Sequence, residues 1–327
     1  MTIEAAFLEA CLEELAAPKP GNVHIHAPGH RMTVEDFTRS AAASAPLLCR
    51  AGVRLGSRIL DATTATRAAV GQNTNLGILL LCGPLAMAAE DRVAGRTART
   101  VMAGEALPRV LGRPPSTPLP GSGPQGVDGP PARTMTVERQ PPAPHDRLPP
   151  QQIIHAIIAA ADGADAEAVF AAIRLANPGG LGSAERHDVR RPAAVSLAEA
   201  MAEAAERDSI ARQWSSGFAD ILGLGVTTYA AARASGAEPP DASLAVYLAF
   251  LAAFPDSHVA RKHGAAVAAE LQREAARRSR HIPALAELLA WDRQLKAAGI
   301  NPGTTADMTV ATAFAWRLGL HSSNIDG

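Results

Sequence analysis

The spacing of apolar residues constrains this chain more than any other feature: they recur three and four apart in most segments, with no sustained alternation at two. Ile3, Phe7, Leu8, Cys11, Leu12 and Leu15 would share one face of a helix. Pro18 and Pro20 then stop it, because proline cannot donate the backbone bond a helix needs. Comparable patterns cover about residues 57–69, 151–161, 165–176, 241–254, 258–280, 283–298 and 305–319. Thr33 with Asp36 and Ser196 with Glu199 have the spacing of capping boxes. Thr74 stands where it would cap the apolar run that follows.

Aromatic residues make up only 4% of the chain, while Ala and Leu recur throughout, which favours helices over strands. No segment repeats with a period of about 20–50 residues, so a solenoid is not expected. The expected fold is all-α, a multi-helix bundle forming a single domain over 1–327. A disordered Pro-rich insertion is expected at 113–150, which holds 12 of the 25 prolines and few large apolar groups.

Charge is balanced, 31 Lys and Arg against 32 Asp and Glu, so no long-range field attracts nucleic acid or an anionic membrane. The longest apolar run, Leu76 to Ala89, falls short of the roughly 20 residues a membrane span takes. Glu4, Glu9, Glu13 and Glu14 stand where a signal peptide would be basic and then apolar, so a soluble cytoplasmic protein is expected. Cys11, Cys49 and Cys82 sit in apolar helical patterns and are expected as buried reduced thiols. The apolar content permits a homodimer without requiring one.

Pro-Gly turns flank several helices, at Pro20-Gly21, Pro28-Gly29, Pro178-Gly179 and Pro302-Gly303. Each suits a type II turn, and the donors beside them suit phosphate oxygens. Gly71 to Gly77 is an amide-rich segment leading straight into the most apolar helix, whose first N–H groups and dipole would face a ligand over Asn73 and Asn75. Arg58 and Asp61, three apart, form either an ion pair or a cation and carboxylate presented to a ligand. Asp256, as a helix cap, precedes the imidazole of His258 and then Arg261 and Lys262, two cations near a helix start that an anionic ligand would relieve. His24, His26 and His30 have no nearby cysteine or carboxylate to complete a zinc set. No P-loop, dinucleotide fingerprint or nucleophile elbow is present.

Taken in order, Lys19-Pro20-Gly21-Asn22-Val23-His24, Gly71 to Gly77, Asp256 to Arg261 and Pro302 to Asp307 resemble the triphosphoribosyl-dephospho-CoA synthase family. The resemblance spans nearly the whole chain except 113–150. It implies an all-α transferase that displaces adenine from ATP and joins the triphosphoribosyl group to a hydroxyl of 3'-dephospho-CoA, with Mg²⁺ as cofactor. Lys19, Gly21, Asn22, His24, Arg58, Asn73, Thr74, Asn75, Gly77, His258, Arg261 and Lys262 then become candidates for holding substrate and phosphate. Asp256, Asp307 and Asp61 are the candidate catalytic carboxylates, the first two also for Mg²⁺. The chain departs from the family pattern by carrying Asn at position 75 where His is usual, and Ser257-His258 where Thr-Asn is usual. His258 is therefore a candidate replacement for the imidazole missing at 75. The departures resemble a divergent branch, which leaves two alternatives open: transfer to another acceptor in methanopterin-linked one-carbon metabolism, or an inactive nucleotide-binding scaffold.

Overall fold

The computed structural model describes residues 1–94, 148–178, 188–279 and 282–321, all helix and connecting loop, with no strand among the described residues. Several helices begin on a short polar side chain that accepts an otherwise unpaired N–H. Thr2 caps α1 (Ile3–Ala16), and the Thr33/Asp36 box starts α2 (Val34–Leu48). After α3 (Leu55–Val70) and α4 (Leu76–Ala94) comes α5 (Pro150–Ala160). Boxes at Asp162/Asp165 and Ser196/Glu199 start α6 (Gly163–Ala176) and α7 (Leu197–Ala204). Asp208 caps α8 (Ser209–Ser216), and a π-helical turn, Ile221–Gly225, runs into α9 (Val226–Ala234). Then follow α10 (Pro239–Ala253), α11 (Ser257–His263), α12 (Ala265–Arg278), α13 (Leu285–Ala297) and α14 (Gly303–Arg317).

Three helices are apolar on nearly every side and so must be buried on nearly every side. In α14, every residue from Met308 to Ala315 is buried, and α14 packs against α1, α4 and α10. Phe7 of α1 meets Phe314 edge to face with ring centroids 5.7 Å apart. Each such fully buried ring contributes about 1.5–3 kcal/mol relative to exposure. Helices α2, α3 and α6 pack in succession beside this centre. A second, smaller core of Tyr247, Leu251, Leu271, Leu288 and Trp291 joins α10, α12 and α13. The two cores approach each other at the start of α14, where the site lies.

The structure corrects the sequence expectations in several places. The helix expected over 258–280 is two, broken at Gly264, whose φ of +93° a side chain would oppose. Helices α8 and α9 and the π turn between them were not anticipated. Thr74 does not cap α4: its hydroxyl pairs with that of Ser40, and Asn73 Oδ1 instead accepts the Leu76 N–H at 3.2 Å. The Pro-rich insertion lies outside the described residues apart from its last three, and Pro150 already belongs to α5. Cys11 and Cys82 are buried and Cys49 half-buried, all three free, and burial pushes the Cys49 thiol up to about 12. No single helix among the described residues is long and apolar enough to cross a membrane.

Candidate active site

The loop after α1 is held by buried polar contacts. The Lys19 ammonium, fully buried, donates to the carbonyls of Glu14 at 2.6 Å and Val23 at 2.9 Å, and lies 3.0 Å from Glu14 Oε1. Three donors thus meet three acceptors inside the protein. Burial pulls the Lys19 ammonium down and the Glu14 carboxyl up, each opposed by the other's charge. Gly21, at φ +82°, donates its N–H to Asp292 Oδ1 at 2.9 Å, and a Cβ there would lie 2.9 Å from the Pro302 ring. His24, fully buried, places Nε2 3.4 Å from the same carboxylate oxygen. Of this motif only Asn22 faces the cleft, its amide donating to Asn301 Oδ1 at 2.9 Å.

The cleft has a volume of about 690 Å³ and opens between the start of α4, α8, α11 and the start of α14. Asp307 stands against the first turn of α4. A Cβ added at Gly77 would lie 2.0 Å from Asp307 Oδ2, so only glycine admits the carboxylate to this helix end. Asp307 accepts no hydrogen bond from any described residue. Burial, followed by the charges of Glu14 and Asp256, holds its carboxyl well above the usual range. Glu14 lines the same cleft, and Asp188, Glu203 and Asp208 add their carboxylates to the lining.

Asp256, by contrast, is occupied on both oxygens. Oδ1 accepts the Val259 N–H at 2.9 Å, which caps α11, and Oδ2 accepts the N–H and hydroxyl of Thr305, both at 2.8 Å. Its carboxylate pins α11 to α14 and does not line the cleft, where it was expected as a catalytic and metal-binding group. That pinning aims His258 and Arg261 of α11 into the space. Burial and the cations around His258 push its imidazole down to about 4, so the ring is neutral at pH 7. Arg261 pairs with Asp208, the cap of α8, and Arg207 stands beside it on the rim.

Other expected residues fall elsewhere. Arg58 does not meet Asp61: buried, it donates to Glu90 at 2.6 and 2.8 Å, while Asp61 pairs with Arg50 in solvent at 3.0 Å. Neither reaches the cleft, because their partners, Glu90 of α4 and Arg50 of the loop between α2 and α3, turn the two side chains apart. Lys262 is exposed and outside the lining. Asn75 bonds Thr66 at 3.0 Å and Ser44 at 3.2 Å, anchoring α4 to α2 and α3. Its side chain is spent there and does not line the cleft. The loops that carry Asn75 and His258 do meet, since Asn73 and His258 both line the cleft. Sequence reading missed Glu14, Arg207 and Asp208, of which only the Asp208-Ser209 cap pattern gave a signal, while Asn301 was signalled only as a donor beside the Pro302-Gly303 turn. No group of three or more His, Cys, Asp or Glu side chains that could hold a metal is found among the described residues.

Fold and cleft together define the class: an all-helical protein with a carboxylate-bearing cleft opened at helix ends. The chain matches the CitG family, ATP:dephospho-CoA triphosphoribosyl transferase, over residues 1–111 and 146–325, and it belongs to that family. The match omits 112–145, most of the proline-rich stretch. A crystal structure described as "putative triphosphoribosyl-dephospho-coA synthase from Archaeoglobus fulgidus" shares the fold, with a TM-score of 0.57 and 20% identity, over 86% of this chain and 97% of that one. No curated protein matches the chain in sequence.

Proposed function

We propose that the protein displaces adenine from ATP and joins C1 of the remaining triphosphoribosyl group to a hydroxyl of 3'-dephospho-CoA. One observation carries this reading: Asn22, Gly77, His258 with Arg261, and Asp307, one contribution from each of four distant segments, line one cleft. A triphosphate in that cleft meets Arg207 and Arg261 and the free N–H groups of the first turn of α4, where the helix dipole favours negative charge. Glu14 and Asp307 are the hard oxygen groups that suit Mg²⁺, and the half-buried Asp307 carboxylate has no hydrogen-bond partner among the described residues. Mg²⁺ held there supplies charge neutralisation to the phosphate chain. Asp307 takes the proton of the attacking hydroxyl, a task its raised pKa serves. His258, neutral at pH 7, serves as a hydrogen-bond partner rather than a proton donor.

Chromatography of protein incubated with ATP and Mg²⁺, with and without dephospho-CoA, tests the reading. The expected result is acceptor-dependent adenine and a product heavier by one triphosphoribosyl group. Folded, ATP-binding protein that releases no adenine with dephospho-CoA would remove the proposal. Adenine released only with a different acceptor would keep the donor chemistry and replace the acceptor.

Gly77→Ala is a sharper probe of the same geometry. Alanine is ordinarily better than glycine within a helix by about 1 kcal/mol. Stability is therefore expected to stay within about 1 kcal/mol of wild type, while the displaced Asp307 carboxylate costs at least about tenfold in adenine release. Wild-type turnover in the folded variant would show that the approach of Asp307 to α4 does not matter.

A further inference from the structure

A second chamber of about 340 Å³ adjoins the cleft and shares Asn73, Pro178 and His258 with it. Its chemistry differs. The main cleft carries Glu14, Asp208 and Asp307, among other carboxylates. Among the described residues the side chamber has no carboxylate in its lining, and it adds Arg67, Gln72 and Asn177 to the shared residues. The side chain of Arg67, in the last turn of α3, makes no hydrogen bond or ion pair with any described residue. The side chains of Gln72, Asn177 and His258 are likewise without partners among the described residues. Asn73 gives its carbonyl oxygen to the Leu76 N–H, which leaves its NH₂ as the free end.

A space lined by an unpaired guanidinium and amide donors, with no acid among them, suits an anion taken without a metal. The carboxylate-bearing cleft suits an anion that arrives with one. Two phosphorylated substrates that must meet at one point need two such spaces joined at a wall.

We propose that the side chamber binds the diphosphate of the nucleotide acceptor, with Arg67 as its cation, while the triphosphate donor occupies the main cleft. This deepens the function proposed above and rests on it for the identity of the acceptor. The shared wall of Asn73 and His258 then lies between donor and acceptor. The left-handed Asn177, at φ 44°, ends α6 and brings its amide to the chamber.

Arg67→Gln and Arg67→Glu test this, since an exposed residue in the last turn of a helix can be changed without unfolding the chain. In steady-state assays, Arg67→Gln is expected to raise KM for dephospho-CoA by roughly 10- to 100-fold, the worth of a charge-assisted hydrogen bond, and Arg67→Glu by more. Arg67→Lys is expected to recover part of the loss, and KM for ATP to stay within about twofold of wild type. An unchanged KM for dephospho-CoA in both variants, or an equal rise for ATP, overturns the assignment. Calorimetry with inorganic pyrophosphate in EDTA separates this outcome from failure of the proposed function, because it needs no turnover. Wild type is expected to bind pyrophosphate and Arg67→Glu not to; binding that survives Arg67→Glu overturns the chamber as an anion site.

Discussion

Asp307→Asn protein is expected to lose adenine release by about 10²- to 10⁴-fold, the usual worth of a positioned proton acceptor, while melting at a higher temperature than wild type near neutral pH. Both effects have one origin. The carboxylate is desolvated at the head of α4, with no donor among the described residues and with the charges of Glu14 and Asp256 nearby, so its folded-state pKa is raised. A raised carboxyl binds its proton more tightly folded than unfolded. Its ionisation therefore costs nothing below the unfolded value of about 4, costs progressively more as pH rises, and costs in full above the folded pKa. An asparagine never ionises. In EDTA, thermal melts of variant and wild type should converge towards about pH 4 and separate at pH 8, with the variant more stable. A variant less stable than wild type at pH 8 would mean that Asp307 has a partner that stabilises its charge.

What could be read from the sequence divides by range. Helix starts were legible where the signal is local: the Thr33/Asp36 and Ser196/Glu199 boxes form as spaced. The apolar character of α4 was legible because Leu76 to Ala89 carries no charged residue. Gly264 was read as helix interior because a glycine alone does not reveal its φ, and α8 and α9 were missed because 209–225 mixes polar residues with Gly217, Gly223 and Gly225. At the site, the four motifs named the segments that meet, but not which way each side chain points. Asp256 and Asp307 look alike in sequence, yet one is capped on both oxygens by Val259 and Thr305 while the other faces the cleft. Glu14 was read as one acid in a charged N-terminal face. It lines the cleft because α1 packs against α14, a contact across most of the chain that no local pattern encodes.

Lys19 gives the second large effect, and here the expectation from resemblance and the reading from geometry part. A lysine that grips phosphate would, when replaced by methionine, raise KM for ATP and leave the fold alone. The ammonium seen here is fully buried and has spent its donors on Glu14 and Val23. Lys19→Met leaves two carbonyls without donors and the Glu14 carboxylate without a counter-ion, a change that typically costs about 3–5 kcal/mol. The expected result in urea unfolding is a loss of that size, with KM for ATP in the folded protein within about twofold of wild type. Removing both charges, in Lys19→Met with Glu14→Gln, is expected to be less destabilising than Lys19→Met alone, because no uncompensated charge stays buried. The double variant should still turn over poorly, since Glu14 faces the cleft. A stable Lys19→Met protein with KM for ATP raised tenfold or more would return Lys19 to the phosphate, and would require the loop from Ala17 to Met32 to open when substrate binds.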